Sequence, residues 1–383
     1  MRRQLIALVT AALAGAGTAA FGAPALADTR DDQWHLKYLK VAEAHRISTG
    51  KGVTVAVIDS GVAKHPDLPG VVSGTDLVKP GGDGRTDVTG HGTSMAGLIA
   101  AHGNGRQHAL GIAPDAKILP IRVLGKGKTV ISLGPAIRYA ISHGAKVINM
   151  SIGGGIDPDD LAGIKEAEEA DVVLIASAGN KPDAVSVSAP AFLDGVVAVG
   201  AVDRSGNHAK ISVSGSALDI AAPGEDITST NREGGYNVRQ EGTSQAAAIV
   251  SGAAALLRSK YPNMSATEVV ERLESTAIDK GAPGVDPDYG HGIIDIVAAL
   301  SDSTTPEPSA SAAPSGTTAA PAPTTTTSAA SPEAEPAGSS TPLIIGGVAV
   351  LVLLGGLAAF LLTRRRAGRE TRGPAGPPPP RDL

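Results

Sequence analysis

Five short apolar runs lie in the first two thirds of the chain, and helical patterns lie between and after them. The runs are nearly continuous rather than alternating, as is typical of strands covered on both faces of a parallel sheet. They occupy 53–58, 117–123, 145–150, 172–176 and 196–201. The helical patterns occupy 92–101, 131–142, 159–170, 243–260 and 265–276. This order predicts an α/β fold with an open parallel sheet and helices on both faces, as one domain over 51–301.

The two ends of the chain carry a different kind of pattern. Residues 1–27 have a basic start, an apolar middle and an Ala25-Leu26-Ala27 end, which predicts a secretory signal peptide cleaved after Ala27 rather than a retained membrane anchor. Residues 302–342 are mostly Ser, Thr, Pro and Ala. Because this composition cannot bury a core, we expect a disordered stalk there.

A long apolar segment and a basic tail follow the stalk. Residues 343–362 carry no charge, and as a helix they are about 30 Å long, the thickness of the hydrocarbon core of a bilayer. We therefore predict a single transmembrane helix over 343–363 rather than a buried core helix. The arginines of the 364–383 tail place that tail in the cytoplasm and the rest of the chain outside the cell membrane. No Leu-Pro-x-Thr-Gly-type motif precedes Leu343, so we expect no attachment to the cell wall.

Composition limits the possible partners. The chain has 383 residues, a net charge of −5 and no cysteine. The charge gives no reason to expect nucleic acid as a partner, and the lack of cysteine excludes both disulfides and thiolate metal sites. We expect no cofactor.

Three Gly-flanked side chains have the chemistry of a nucleophilic hydrolase. Asp59 ends the first apolar run, His91 starts a helical pattern, and Ser244 starts another one. A hydroxyl needs a base to take its proton, and the base needs an acid to hold its tautomer. Each residue alone has an ordinary structural explanation, for example a helix cap for Ser244. The chain order Asp, His, Ser is the order found in subtilisin, and it differs from the Ser-acid-His order of esterases and lipases of the α/β-hydrolase class.

The segments around these residues resemble the subtilisin-like serine proteases over 50–300. The resemblance rests on seven strings in the family's order: 57–61 (VIDSG), 90–97 (GHGTSMAG), 111–114 (GIAP), 149–154 (NMSIGG), 178–180 (AGN), 221–224 (AAPG) and 242–244 (GTS). It implies a subtilisin-like three-layer fold and serine endopeptidase activity. It also implies that Asp59 orients the base, His91 is the general base and Ser244 is the nucleophile.

The same resemblance identifies the expected surroundings of the triad. Asn180 is similar to the asparagine that stabilises the oxyanion in this family, and the Ser244 N–H would be the second donor. The resemblance implies that two segments hold protein or peptide substrates and frame the primary specificity pocket. They comprise Ser151, Ile152 and Gly153 on one side and Ala178 and Gly179 on the other.

The whole layout resembles the mycosins, the type VII secretion-associated serine proteases of actinobacteria. They share the signal peptide, an N-terminal extension (28–50 here), the protease domain, the stalk, the membrane helix and the short tail. The resemblance implies cleavage of secretion substrates or partners. The alternative is a mainly structural role in a secretion membrane complex, with proteolysis secondary.

The chain departs from these families at three points. Mycosins generally carry cysteines, whereas this chain has none. Ala248 stands where the usual proline follows the nucleophile. The segment 102–108, where many subtilisins bind calcium, offers few oxygen ligands, and we expect no high-affinity metal site there.

Overall fold

A seven-stranded parallel sheet is the centre of the computed structural model, which describes residues 28–125 and 132–301. The strands are β1 Thr54–Asp59, β2 Thr75–Asp76, β3 Lys117–Arg122, β4 Val147–Met150, β5 Val173–Ser177, β6 Val196–Val202, β7 Ile220–Pro223, β8 Ile227–Thr230 and β9 Tyr236–Gln240. The strand order in the sheet is β2-β3-β1-β4-β5-β6-β7, and β8 and β9 form a separate antiparallel hairpin. The five predicted runs become β1, β3, β4, β5 and β6.

The helical patterns are also confirmed, with bounds that shift by a residue or two at some ends. The helices are α1 Thr29–Asp32, α2 Trp34–Tyr38, α3 Val41–Ala44, α4 His91–Ala100, α5 Leu133–Ser142, α6 Pro158–Glu169, α7 Thr243–Lys260, α8 Ala266–Ser275 and α9 Ile296–Leu300. The predicted patterns become α4 to α8, of which α6 and α8 each begin with a reciprocal capping box.

The helices cover both faces of the sheet, so the described residues form the predicted three layers. Successive side chains of β1 point to opposite faces. Val55 and Val57 belong to one buried cluster with α4 and α7, while Ala56 and Ile58 belong to the other with α5 and α6. The central helix α7 is buried on all sides from Thr243 to Arg258, which explains its small, apolar residues.

The topology places a crevice at the carboxyl end of β1. This strand pairs with β3 on one side and with β4 on the other. The strands that follow β1 in the sequence therefore lie on both sides of it, β2 and β3 on one side and β4 to β7 on the other. Open α/β sheets bind their ligands at such a switch point. Asp59 is the last residue of β1 and therefore lies there.

Several elements have no predicted counterpart. The short helices α1 to α3 of the N-terminal segment are held by contacts with the domain rather than by their own patterns. Gln33 Nε2 donates to the carbonyl oxygens of Leu110 and Thr228, and Trp34 Nε1 donates to those of Glu225 and Asp226. The strands β2 and β7, the β8–β9 hairpin and α9 were not predicted either.

Within 28–125 and 132–301, no helix combines the length and apolar character needed to cross a membrane. The predicted signal peptide (1–27), stalk (302–342), transmembrane helix (343–363) and tail (364–383) lie outside the described residues.

Candidate active site

Two of the predicted catalytic side chains are in direct contact. Asp59 is fully buried, and His91 is the first residue of α4. His91 Nδ1 lies 2.8 Å from Asp59 Oδ2 and 3.0 Å from Oδ1. A carboxylate in this position accepts a hydrogen bond from the Nδ1–H group and holds the ring in one tautomer, which leaves Nε2 as the nitrogen that exchanges protons.

This contact requires α4 to begin unusually close to the turn after β1. Gly92 lies against the Gly61 carbonyl oxygen, and a Cβ atom on Gly92 would be 2.2 Å from that oxygen. Gly61 itself has a φ of +98°, in the region that favours glycine. The two glycines therefore let the helix start approach the strand end closely enough for His91 to reach Asp59.

A buried carboxylate fixes the same helix start. Asp87, 8% exposed, accepts five hydrogen bonds. Its Oδ1 accepts from Ser60 Oγ, Thr89 N and Gly90 N, and its Oδ2 accepts from Thr93 N and Thr93 Oγ1. Ser60 Oγ also accepts from the Gly92 N–H. Because Ser60 follows Asp59 directly, this network joins the strand end to the first turn of α4.

The third predicted residue lies at the start of α7. Ser244 is 8% exposed, and its Oγ donates to the Ser151 carbonyl oxygen at 3.1 Å. In return, Ser151 Oγ donates to the Ser244 carbonyl oxygen at 3.0 Å. The first N–H groups of a helix have no partner within the helix and carry its positive dipole end. The Ser244 N–H is one of them, and it is therefore suited to bind negative charge.

Asn180 is held beside this helix start by Thr243. The Asn180 Oδ1 accepts from Thr243 N at 2.9 Å and from Thr243 Oγ1 at 3.1 Å. With the amide oxygen bound in this way, Nδ2 is the group left to donate elsewhere. A Cβ on Gly242 would lie 3.2 Å from Nδ2, so a side chain there would crowd the amide.

Three of the four predicted catalytic residues line one cleft, while Asp59 contacts His91 without lining it. The cleft has a volume of about 490 Å³ and is lined by His91, Asn180 and Ser244 among others. Of the predicted substrate-binding residues, Ser151, Ile152, Gly153 and Gly179 line it. Ala178 does not line it; this residue is buried, and its carbonyl oxygen accepts from Ser188 N and Oγ. Within the described part of the chain, Asp183 and His91 are the only charged or titratable side chains that line the cleft.

The arrangement is that of a hydrolase that forms a covalent acyl intermediate. It combines a carboxylate-held imidazole, a hydroxyl at a helix start and an amide donor in one cleft. Comparison with known families agrees, because the peptidase S8 subtilase family matches residues 50–292. The chain belongs to the subtilase family. As a subtilase, it is a serine endopeptidase, and the predicted subtilisin-like α/β fold with a parallel sheet is confirmed.

Mycosins and secreted subtilisins are both among the similar proteins. Mycosin-4 of Mycobacterium tuberculosis is 37% identical over 310 residues, which cover 68% of each chain. Subtilisin DY of Bacillus licheniformis is 40% identical over 261 residues, covering 65% of this chain and 91% of the relative. A crystal structure of MycP1 with its N-terminal propeptide removed superposes with a TM-score of 0.65 at 33% identity. That match covers 70% of this subtilase and 96% of MycP1.

A second mycosin structure extends the comparison. The MycP3 protease from the type VII (ESX-3) secretion system superposes with a TM-score of 0.62 at 35% identity, covering 70% of this chain and 88% of MycP3. The mycosin relationship predicted from the layout is therefore confirmed.

The loop at 102–108 has contacts that the sequence did not predict. The Arg30 guanidinium donates to the carbonyl oxygens of Gly103, Gly105 and His108. His108 Nδ1 lies 2.7 Å from a carboxylate oxygen of Asp67. Over the described ranges, no group of three or more His, Asp or Glu side chains could hold a metal ion.

Sequence reasoning missed the residues that support the site. Asp87, Thr93 and Thr243 hold the catalytic groups in place, and Ser188 lines the cleft. Asp87 had one local signal, because an aspartate followed by a turn and a helix start often accepts the backbone N–H groups of the next residues. Ser188 had none, since it comes to the cleft through tertiary contacts.

Proposed function

We propose that this subtilase is a membrane-anchored extracytoplasmic endopeptidase in which Asp59, His91 and Ser244 form the catalytic triad. The observation that carries the assignment is the 2.8 Å contact of His91 with Asp59, in a cleft also lined by Ser244 and Asn180. The order Asp59, His91, Ser244 along the chain agrees with it.

In the proposed reaction, Ser244 Oγ attacks the carbonyl carbon of the scissile peptide bond as His91 Nε2 takes the hydroxyl proton. Asp59 stabilises the imidazolium that forms. Asn180 Nδ2 and the Ser244 N–H donate to the oxyanion. The C–N bond then breaks, and the leaving amine takes the proton from His91. A water molecule, activated in the same way, hydrolyses the acyl-enzyme and restores Ser244.

The substrate backbone is proposed to lie against the 151–153 segment as an added β-strand. Both walls of the cleft carry glycines, Gly153 on one side and Gly179 on the other. Glycines allow the main chain of a peptide to approach closely, and main-chain hydrogen bonds then give affinity that does not depend on sequence.

The proposed location rests on the sequence. The signal peptide at 1–27 would export the chain, and the helix at 343–363 would retain it in the cell membrane with the tail in the cytoplasm. The stalk at 302–342 would keep the protease above the membrane surface and let it reach protein substrates there.

The proposed substrates are proteins of a type VII secretion system, or partners in its membrane complex. Support comes from the mycosin relatives, since MycP1 is described as an essential component of the type VII (ESX-1) secretion system. The same description supports the second candidate, a mainly structural component of that complex with proteolysis secondary.

One experiment separates the two candidates. A deletion strain is complemented with the wild-type chain or with Ser244→Ala, and new N-termini of extracytoplasmic proteins are labelled. The proposal predicts N-termini that depend on Ser244 and loss of secretion in the variant. Full rescue of secretion by Ser244→Ala would favour the structural candidate, and the absence of any Ser244-dependent N-terminus would contradict proteolysis.

A further inference from the structure

The cleft beside Ser244 is closed at one end by a bridge between its two walls. The first wall is the segment 151–154, and the second is the segment 178–180, of which Gly179 and Asn180 line the cleft. Ser188 N donates to the Ala178 carbonyl oxygen of the second wall at 2.8 Å, while the Gly154 N–H of the first wall donates to the Ala189 carbonyl oxygen at 3.3 Å. Residues 188 and 189 therefore connect the two walls. They form the end of the space between the walls, which we call the slot.

The Ser188 side chain fills the space between the two walls. A Cβ atom on Gly179 would lie 2.9 Å from Ser188 Oγ, and one on Gly153 would lie 3.7 Å from it. Because Gly153 and Gly179 have no side chains, Ser188 supplies the side chain that occupies the space between them. The Ala184 methyl group lies 3.1 Å from the same Cβ position on Gly179 and narrows the slot further.

The end of the slot is polar, and it offers hydrogen-bond acceptors. Ser188 Oγ donates its proton to the Ala178 carbonyl oxygen at 3.1 Å, so its lone pairs remain to accept. Among the described residues that line the cleft there is no lysine or arginine, and Asp183 is the one carboxylate. A large aromatic ring would bury these acceptors without a donor, which carries a cost. An acidic side chain in the cleft would be repelled by the negative charge of Asp183, which lines it.

From this geometry we propose that Ser188 sets the depth of the primary specificity pocket. The pocket then selects short uncharged side chains, of the size of alanine, serine or asparagine, at the residue before the scissile bond. This inference rests on the proposed function, because it takes Ser244 as the nucleophile. It adds the substrate class that the sequence left open.

The test uses four peptides that differ only at the residue before the scissile bond, which is Ala, Asn, Phe or Glu. We expect kcat/KM to be at least about tenfold higher for Ala and Asn than for Phe and Glu, the scale on which a pocket discriminates by size. Ser188→Gly lengthens the slot and should raise the Phe/Ala ratio of kcat/KM by about tenfold or more. Ser188→Ala, which removes only the hydroxyl, should give a smaller rise in the same direction.

The matched control is Ser186→Gly, which changes an exposed serine of the same loop that does not line the cleft. Its Phe/Ala ratio should stay at the wild-type value. Labelling of Ser244 by a fluorophosphonate shows that each variant has a folded site.

Three results would overturn the inference. They are a wild-type preference for Phe, an unchanged Phe/Ala ratio in both Ser188 variants, or an equal change in Ser186→Gly. These results leave the proposed function intact. If no peptide is cleaved in a Ser244-dependent manner, the proposed function fails, and this inference fails with it.

Discussion

Asp87 is the residue whose removal tests the architecture of the site most sharply. Its carboxylate accepts five hydrogen bonds at the start of α4 but lies outside the set of residues that line the cleft. Asp87→Ala removes the common acceptor. Asp87→Asn keeps the shape of the side chain. Because each oxygen of the native carboxylate faces hydrogen-bond donors, the new NH₂ group must also face donors and cannot accept from them.

The magnitude follows from the backbone donors. Hydroxyls can turn to other acceptors, whereas the N–H groups of Gly90 and Thr93 are fixed and buried. Each buried donor without a partner costs about 1–3 kcal/mol. Since water entering the vacated space recovers part of this, we expect Asp87→Ala to lower the free energy of unfolding by about 3 kcal/mol. For Asp87→Asn we expect about 2 kcal/mol.

The assay is urea denaturation in a Ser244→Ala background, which prevents self-digestion. The control is Asp83→Ala, since the carboxylate of the exposed Asp83 accepts a hydrogen bond from Arg85 N in the same loop; the effect of this substitution should be about 0.5 kcal/mol or less. With Ser244 restored, Asp87→Asn should lower kcat more than it changes KM, because His91 is displaced while the substrate groove is intact. A loss below about 1 kcal/mol in Asp87→Ala, or an equal loss in the control, would refute the reasoning.

Three further predictions concern the oxyanion donor, the N-terminal segment and acid stability. Asn180→Ala should lower kcat by about 100- to 1,000-fold with little change in KM, because the lost donor acts on charge that develops in the transition state. Steady-state kinetics on a peptide substrate measures both constants, and a rise in KM with an unchanged kcat would contradict this prediction. Gln33→Ala removes three hydrogen bonds to Leu110 and Thr228 and should lower the free energy of unfolding by about 2 kcal/mol, whereas Gln107→Ala on the exposed loop should not. Burial lowers the pKa of His35 from 6.5 to about 3. Between pH 6.5 and pH 3 the unfolded chain therefore binds more protons than the folded chain, and the free energy of unfolding falls as the pH drops. His35 should contribute about 2 kcal/mol to this loss at pH 5. Urea titrations should show a loss smaller by that amount in His35→Leu and an unchanged loss in His143→Gln, which alters an exposed histidine.

The elements that the sequence predicted are those whose residues repeat a simple pattern. The 53–58 run becomes a strand buried on both faces, and the predicted helix at 243–260 has the observed bounds. The hairpin was missed because β9 is mostly polar and has no buried residue, so it lacks the apolar pattern of a core strand. Helices of four or five residues, such as α1 and α2, are too short to be stable alone. Their contacts through Gln33 and Trp34 join positions far apart in the chain.

The residues of the candidate site also fall into a group that the sequence predicts and a group that it does not. Asp59, His91 and Ser244 could be predicted because their strings and their order along the chain are specific. The supporting residues could not be predicted, since Asp87 acts through backbone donors and Ser188 reaches the cleft through a long loop. Side chains that do chemistry leave local signals in a sequence, while side chains that position them often depend on the fold.

The central claim is that Ser244, activated by His91 and Asp59, is the nucleophile of a protease. The most direct measurement is fluorophosphonate labelling of the purified chain, with the modified residue located by mass spectrometry and peptide cleavage followed in parallel. We expect one label, on Ser244, that abolishes cleavage, and neither labelling nor cleavage in Ser244→Ala. A label on another residue together with persistent cleavage by Ser244→Ala would contradict the claim.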